Sequence, residues 1–220
     1  MISGIIFDMD GTLLDSLGFW QTVPEKYLAG LGIKADKDLF KQIETFSLRE
    51  SAAFFIEKFQ LALTIEQVLE GIDRTIEKFY KEEVQLKNSV KEFLELLEKH
   101  HIKAAVATSS PAHIAEAALK RLCNFEFVCF ESCNDCVQGK DESAEVYEKA
   151  LARLNLPKDE VWVFEDSLFA IKTAKNAGFH VCAVQDGCQT DIAAIKAAAD
   201  CYVSNIIDFQ LNGTSEGLSF

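Results

Sequence analysis

A carboxylate placed where an apolar run stops is costly unless something offsets its charge. This chain does so twice. Asp8 and Asp10 follow the run Ile2–Phe7, and Glu165 and Asp166 follow Val161–Phe164. Two other segments add polar groups: Thr108, Ser109 and Ser110 follow Lys103–Ala107, and Gly139-Lys140 precedes a helical pattern opening at Glu142. Asp8, Asp10 and Asp166 suit a hard cation with oxygen ligands, and magnesium prefers few carboxylates with water and phosphate oxygens. Lys140 is a point charge for a phosphate oxygen or for an aspartate. The Thr108 hydroxyl and the N–H groups after it suit a phosphoryl oxygen at a helix start. No histidine pair at helical spacing argues for zinc. His100 and His101 close a predicted helix, where they complement its dipole.

These groups meet only if their runs are neighbouring strands. Strands are predicted at Ile2–Phe7, Lys103–Ala107, Phe127–Phe130, Val161–Phe164, His180–Val184 and Cys201–Val203. Helices are predicted between them at Val90–Lys99, Pro111–Leu122 (Ser110 as N-cap), Glu142–Leu154, Leu168–Asn176 and Asp191–Ala199. Strands alternating with helices predict a parallel sheet covered on both faces, and ligands gather at the carboxyl ends of such strands.

From Leu17 to about Tyr80 the pattern is helical throughout. Ser47-Leu-Arg-Glu50 and Thr64-Ile-Glu-Gln67 read as capping boxes, opening helices through Lys58 and about Tyr80. Phe40, Phe46, Phe54, Phe55 and Phe59 recur at helical spacing and read mostly as bundle core. The fold class is therefore α/β: a Rossmann-like parallel sheet core with a helical, four-helix-bundle type cap inserted after the first strand. Residues 1–15 and 84–212 form the core, 16–83 the cap, and 213–220 a tail predicted to fray.

The chain has 220 residues and a formal net charge of −13, which argues against nucleic acid or an anionic membrane as partner. No stretch approaches the roughly 20 apolar residues of a membrane helix. No basic region followed by an apolar one opens the chain, which predicts a cytoplasmic protein without a secretory signal. Seven cysteines then read as reduced thiols. Cys133-Asn-Asp-Cys136 matches C-x-x-C, but it lacks the second ligand pair of a zinc site and the helix-start context of a redox motif, so it reads as coincidence. Nothing in the sequence argues against a monomer.

Asp8-Met9-Asp10-Gly11-Thr12 resembles the DxDGT motif of the haloacid dehalogenase superfamily. Thr108-Ser109-Ser110 resembles its second motif, Lys140 its third and Glu165-Asp166 its fourth. The insert resembles the C1 cap of the subfamily that holds β-phosphoglucomutase and many small-molecule phosphatases. The resemblance implies Asp8 as nucleophile, forming an aspartyl-phosphate, and Asp10 as general acid and then base. It implies Mg2+ on Asp8, the Asp10 backbone carbonyl and Asp166, with Glu165 nearer the outer shell. Lys140 would balance charge, and Thr108, with Ser109 beside it, would hold the phosphoryl group. In related mutases an arginine near Arg49 meets a distal phosphate; the plain reading of Arg49 is a solvated cap residue. Asp15 reads as an N-terminal helix charge.

Three positions depart from the pattern. Asp141 replaces the proline that usually follows the motif lysine, Leu168-Phe169-Ala170 replaces a glycine, and Trp20 stands where mutase relatives carry a histidine. The implied activity is a magnesium-dependent phosphatase acting on a small phosphorylated metabolite, a sugar or polyol phosphate. The alternative is a sugar-phosphate mutase. Dehalogenase and phosphonatase relatives lack the second aspartate. A catalytically silent binding protein would have lost a motif residue, and none is lost.

Overall fold

The structure is a computed structural model that describes residues 2–35, 38–43, 46 and 48–211. It divides into two compact units: one holds the chain through Asp15 and from Val84 on, the other is Ser16–Glu83.

The first unit is built on six parallel strands, β1 (Gly4–Phe7), β2 (Lys103–Thr108), β3 (Phe130–Ser132), β4 (Val161–Glu165), β5 (His180–Val184) and β6 (Cys201–Val203). Their order is β3-β2-β1-β4-β5-β6. β1 is therefore central, and all four of its residues are buried, as a doubly covered parallel strand requires. Successive residues of β1 serve opposite faces. Ile6 joins a cluster with Ala105, Val163, Tyr147 and Ile171. Phe7 meets the rings of Phe93 and Phe164, at 6.3 and 5.2 Å.

The second unit carries helices α1 (Leu17–Trp20), α2 (Val23–Gly30), α3 (Leu39–Ile43), α4 (Leu48–Phe59) and α5 (Ile65–Lys78). The first unit adds α6 (Val90–Lys99), α7 (Ala112–Leu122), α8 (Glu145–Leu154), α9 (Leu168–Asn176) and α10 (Ile192–Ala198). Thr64 and Gln67 close the expected capping box at the start of α5. That helix ends at Lys78 and passes into a π turn, Phe79–Glu83. Ser47, the expected cap of α4, lies outside the described residues, as does the tail 213–220. Among the described residues no helix is long and apolar enough to cross a membrane.

Several boundaries differ from the sequence expectation. α7 opens at Ala112 with Pro111 at the cap, because the Ser110 hydroxyl donates to Asp10 Oδ2 at 2.9 Å instead of capping. β3 starts at Phe130. The Phe125, Phe127 and Phe130 rings meet at 4.9 and 5.5 Å, so the run before Phe130 is an aromatic cluster at the sheet edge. α8 opens at Glu145, since Gly139 O accepts from Glu142 N and Ser143 N and makes residues 139–143 a turn. Of the five cap phenylalanines read as core, only Phe55 is fully buried, and Phe46 is 40% exposed. A small bundle has few interior positions, so its aromatics settle on the flanks.

The chain leaves and re-enters the first unit through paired segments. Leu14 bridges Leu86 in antiparallel fashion, Asp15 N donates to Gln85 O, and Lys87 N donates to Leu13 O.

Gly71 on α5 sits against the Tyr27 ring on α2, and a Cβ there would lie 2.5 Å from Tyr27 Cε2. Alanine in a helix normally gains about 1 kcal/mol over glycine, whereas overpacking costs about 1–3 kcal/mol. Tyr27 stacks on the buried Phe55 at 6.3 Å and has little room to yield. Gly71→Ala should therefore destabilise the helical unit, read as faster amide exchange in α2 and α5. Unchanged or slower exchange would show that the ring gives way.

Candidate active site

β1 and β4 lie side by side with Phe7 opposite Phe164, so Asp8 comes level with Glu165 and Asp166 at the carboxyl end of the sheet. Asp8 N continues the ladder by donating to Phe164 O at 2.9 Å. On the other flank of β1, β2 ends at Thr108. Gly11, at φ 84, turns the chain away after Asp10, a conformation that favours glycine. Lys87 holds that turn: its Nζ donates to Gly11 O at 2.5 Å, Gln185 O at 2.7 Å and Asp186 Oδ2 at 2.8 Å.

Lys140 is the centre of the charged cluster. Its buried ammonium donates to Asp8 Oδ1 at 2.5 Å and to Glu165 Oε1 at 2.7 Å. Tyr147 OH donates to the same Glu165 oxygen at 2.9 Å. Glu165 Oε2 accepts from Asp166 N, Ser167 N and Ser167 Oγ at 3.0, 3.1 and 3.1 Å. Five donors saturate the Glu165 carboxylate, which makes it the anchor for Lys140. Asp8 Oδ2 is different: it is buried and has no hydrogen-bond partner among the described residues.

Asp8, Glu165 and Asp166 place one carboxylate oxygen each within 4.8 Å of one another. Burial first, and then the neighbouring Glu165 charge, push the Asp8 carboxyl up to about 8 and that of Asp166 up to about 9. Burial also opposes the Glu165 charge, but the Lys140 ammonium outweighs it and holds that carboxyl below its ordinary value. Burial works against the Lys140 ammonium too, yet Asp8 and Glu165 carry it well above the ordinary lysine range. The crowding of Asp8, Glu165 and Asp166 thus resists negative charge on Asp8 and Asp166, and a proton or a cation beside them relieves it. The carboxylates of Asp8 and Asp166 offer a divalent cation oxygen donors, as a hard cation prefers.

Asp8, Asp10, Thr108, Ser109, Lys140, Glu165 and Asp166 all come to one end of the sheet. Thr108 Oγ1 accepts from Ser110 N at 3.0 Å, leaving the hydroxyl proton as the group it offers. Ser109 Oγ lies 3.9 Å from Cys133 Sγ. Arg49 and Trp20 belong to the helical unit. The Arg49 guanidinium donates to Glu66 Oε1 at 2.8 Å, with both side chains well exposed. Trp20 packs beside Phe19 and Tyr80, at 6.4 and 6.5 Å. Asp15 precedes the short helix α1 and is exposed.

Sequence reasoning missed Tyr147, Lys87 and the hydroxyl role of Ser110. Tyr147 reads as helix core, and its ring is core; only the hydroxyl reaches the carboxylate. Lys87 follows no strand and carries no motif.

The family described as haloacid dehalogenase-like hydrolase matches residues 5–184. The phosphorylated carbohydrates phosphatase of Thermotoga maritima is 28% identical over 177 residues, covering 80% of this chain and 82% of that protein. The (DL)-glycerol-3-phosphatase 2 of Arabidopsis thaliana is 28% identical over 221 residues, covering 95% and 89%. A solved structure from Thermotoga maritima, provisionally named beta-phosphoglucomutase, superposes with a TM-score of 0.79 at 28% identity, covering 92% and 94%.

The raised carboxyls give stability a defined pH slope. Asp8 and Asp166 bind protons more tightly folded than at their ordinary value of 3.8, so the folded state holds extra protons from about pH 4 to pH 8 or 9. Stability therefore falls as pH rises through that window. In chelator, the melting temperature should drop between pH 5.5 and pH 8.5, and Asp8→Asn should flatten the slope. A flat profile for the wild type would contradict the electrostatic account.

Proposed function

The chain belongs to the haloacid dehalogenase-like hydrolases, and we propose that it is a magnesium-dependent phosphomonoesterase for a small phosphorylated metabolite, a sugar or polyol phosphate. The observation that carries this reading is the Lys140-centred cluster, in which Asp8 keeps one buried, unpartnered oxygen and lies close to the Glu165 and Asp166 carboxylates. Relatives named as phosphatases of carbohydrates and of glycerol 3-phosphate support the substrate class. Seven free thiols support a reducing, cytoplasmic location.

In this reading Asp8 attacks phosphorus as the bond to the substrate oxygen breaks, leaving an acyl phosphate on Asp8. Asp10 gives its proton to the departing alkoxide, and the Ser110 hydroxyl at 2.9 Å fixes that carboxyl's orientation. Asp10 then takes a proton from the water that attacks the phosphoryl group, and Asp8 is released. Lys140 holds Asp8 Oδ1, leaving Oδ2 and its lone pairs as the reactive edge. The Thr108 hydroxyl and the amides after it receive the phosphoryl oxygens. Bound Mg2+ on Asp8, the Asp10 carbonyl and Asp166 would neutralise charge on the transferring group and keep Asp8 ionised.

A mutase reading is favoured by one observation, the provisional name of the Thermotoga structure. It needs a second cationic anchor for a distal phosphate. Arg49, the candidate, is already engaged by Glu66, and Trp20 brings an indole where a mutase would carry histidine. The two readings part on β-glucose 1-phosphate with a trace of glucose 1,6-bisphosphate. Free phosphate is expected; glucose 6-phosphate with little phosphate would promote the mutase.

The founding experiment is hydrolysis of an aryl phosphate and of a panel of sugar and polyol phosphates, with and without Mg2+. Asp8→Asn should lower kcat at least about 1,000-fold, since an amide does not attack phosphorus, while its melting temperature at pH 8 stays level or rises. Turnover within tenfold of wild type would falsify Asp8 as nucleophile. Asp10→Asn should slow alkyl phosphates far more than nitrophenyl phosphate, whose leaving group needs little proton help. Equal losses on both would assign Asp10 another role.

A further inference from the structure

Cys133 and Cys136 were read from sequence as a coincidental pair, but they occupy one tight turn against the motif loop. Residues Cys133–Asp135 form a single 3-10 turn, and Cys136 N donates to Cys133 O at 3.0 Å. Such a turn brings the outer Cα atoms within about 7 Å, close to the roughly 4.4–6.8 Å that a disulfide spans. Burial raises the Cys136 thiol, and the Lys149 ammonium beside it pulls the other way. Both are half-buried, and the next residue, Val137, is 91% exposed, so small solutes reach the turn.

The same turn is wired to the site. Ser109 Oγ lies 3.9 Å from Cys133 Sγ, and Ser132 Oγ, at the cap of the turn, donates to Ser110 O at 2.8 Å. Ser110 in turn donates to Asp10 Oδ2. Lys140 is four residues beyond Cys136. On the far side Lys149 Nζ reaches Asp135 O at 2.5 Å and Cys136 Sγ at 3.7 Å, placing a cation beside the sulfur.

We propose that Cys133 and Cys136 are a peroxide-oxidisable dithiol whose disulfide loosens the Thr108–Ser110 loop and lowers turnover. One thiolate attacks the peroxide O–O bond, giving a sulfenic acid and hydroxide. The second sulfur displaces that hydroxyl, the S–S bond forms, and water leaves with the remaining proton. Two thiols and one hydrogen peroxide thus become one disulfide and two waters, and a dithiol reductant reverses the change. Closing the bond draws Cys133 Sγ toward Cys136, away from Ser109, and tightens the turn on which Ser132 rests.

The kinetic arm rests on the phosphatase reading above; the chemical arm does not. The full chain is treated with hydrogen peroxide, its disulfides are mapped by peptide mass, and turnover of an aryl phosphate with Mg2+ is followed before and after dithiothreitol. The expected result is a Cys133–Cys136 disulfide, a fall in kcat/KM of at least fivefold, and recovery of both on reduction. Cys136→Ser should match the wild type when reduced and keep its kcat/KM under peroxide. Cys182 and Cys201, opposite each other on β5 and β6, are the internal comparison, since they are buried away from the loop. Absence of the 133–136 bond, a bond without loss of turnover, or equal loss in Cys136→Ser would each overturn the proposal. An inactive reduced protein would count against the phosphatase reading, while the map alone would still decide the dithiol.

Discussion

One buried ammonium ion holds the charged end of the sheet together. Without Lys140, the carboxylates of Asp8, Glu165 and Asp166 would face one another with no cation of the chain's own between them. Removing one partner of a buried pair leaves an uncompensated charge, which costs about 3–5 kcal/mol, so each element that positions these groups constrains the others. β1 and β4 must be adjacent, which requires the chain to cross from β3 on one side of β1 to β4 on the other. That reversal is the switch point of an open parallel sheet, where a crevice opens beyond the strand ends. Lys140 comes from a turn and Tyr147 from α8, so a turn and a helix converge on one oxygen of Glu165 at the end of β4.

Much of this was legible in the sequence because the informative residues sit at strand ends, where apolar runs stop abruptly. Asp8, Thr108 and Glu165 each follow a run of residues buried almost throughout. Boundaries were misread where a side chain had a tertiary partner. Ser110 looks like a helix cap by local rules, yet its hydroxyl goes to Asp10. Phe127 looks like a strand residue, yet its ring belongs to a cluster with Phe125 and Phe130. The cap phenylalanines were overcounted as core because periodicity names a face without saying how much of it is covered. Lys87 was invisible because its acceptors, on Gly11 and on the adjacent Gln185 and Asp186, come from sequence positions far from its own.

The acidity of the chain sets a further condition. With 35 acidic and 22 basic residues, its long-range field repels an anionic substrate. Exposed pairs such as Arg49–Glu66, Lys41–Asp38 and Arg74–Glu70 neutralise charge locally and add little to stability. On the phosphatase reading, attraction for a phosphate acts at contact range, through hydroxyls and backbone amides at the strand ends. Salt would then screen a repulsion between enzyme and substrate in place of an attraction.

The paired junction at Leu13–Asp15 and Gln85–Lys87 has a consequence for how such a chain is assembled. Antiparallel neighbours stand about 4.5–5.5 Å apart, so the ends of the 16–83 insert are held at the spacing of an ordinary hairpin, whatever is strung between them. Loop closure grows only with the logarithm of loop length. The closure cost of an insertion therefore rises only slowly with its length. The junction thus works as a clamp that fixes where the 16–83 segment begins and ends, whatever the length of chain between.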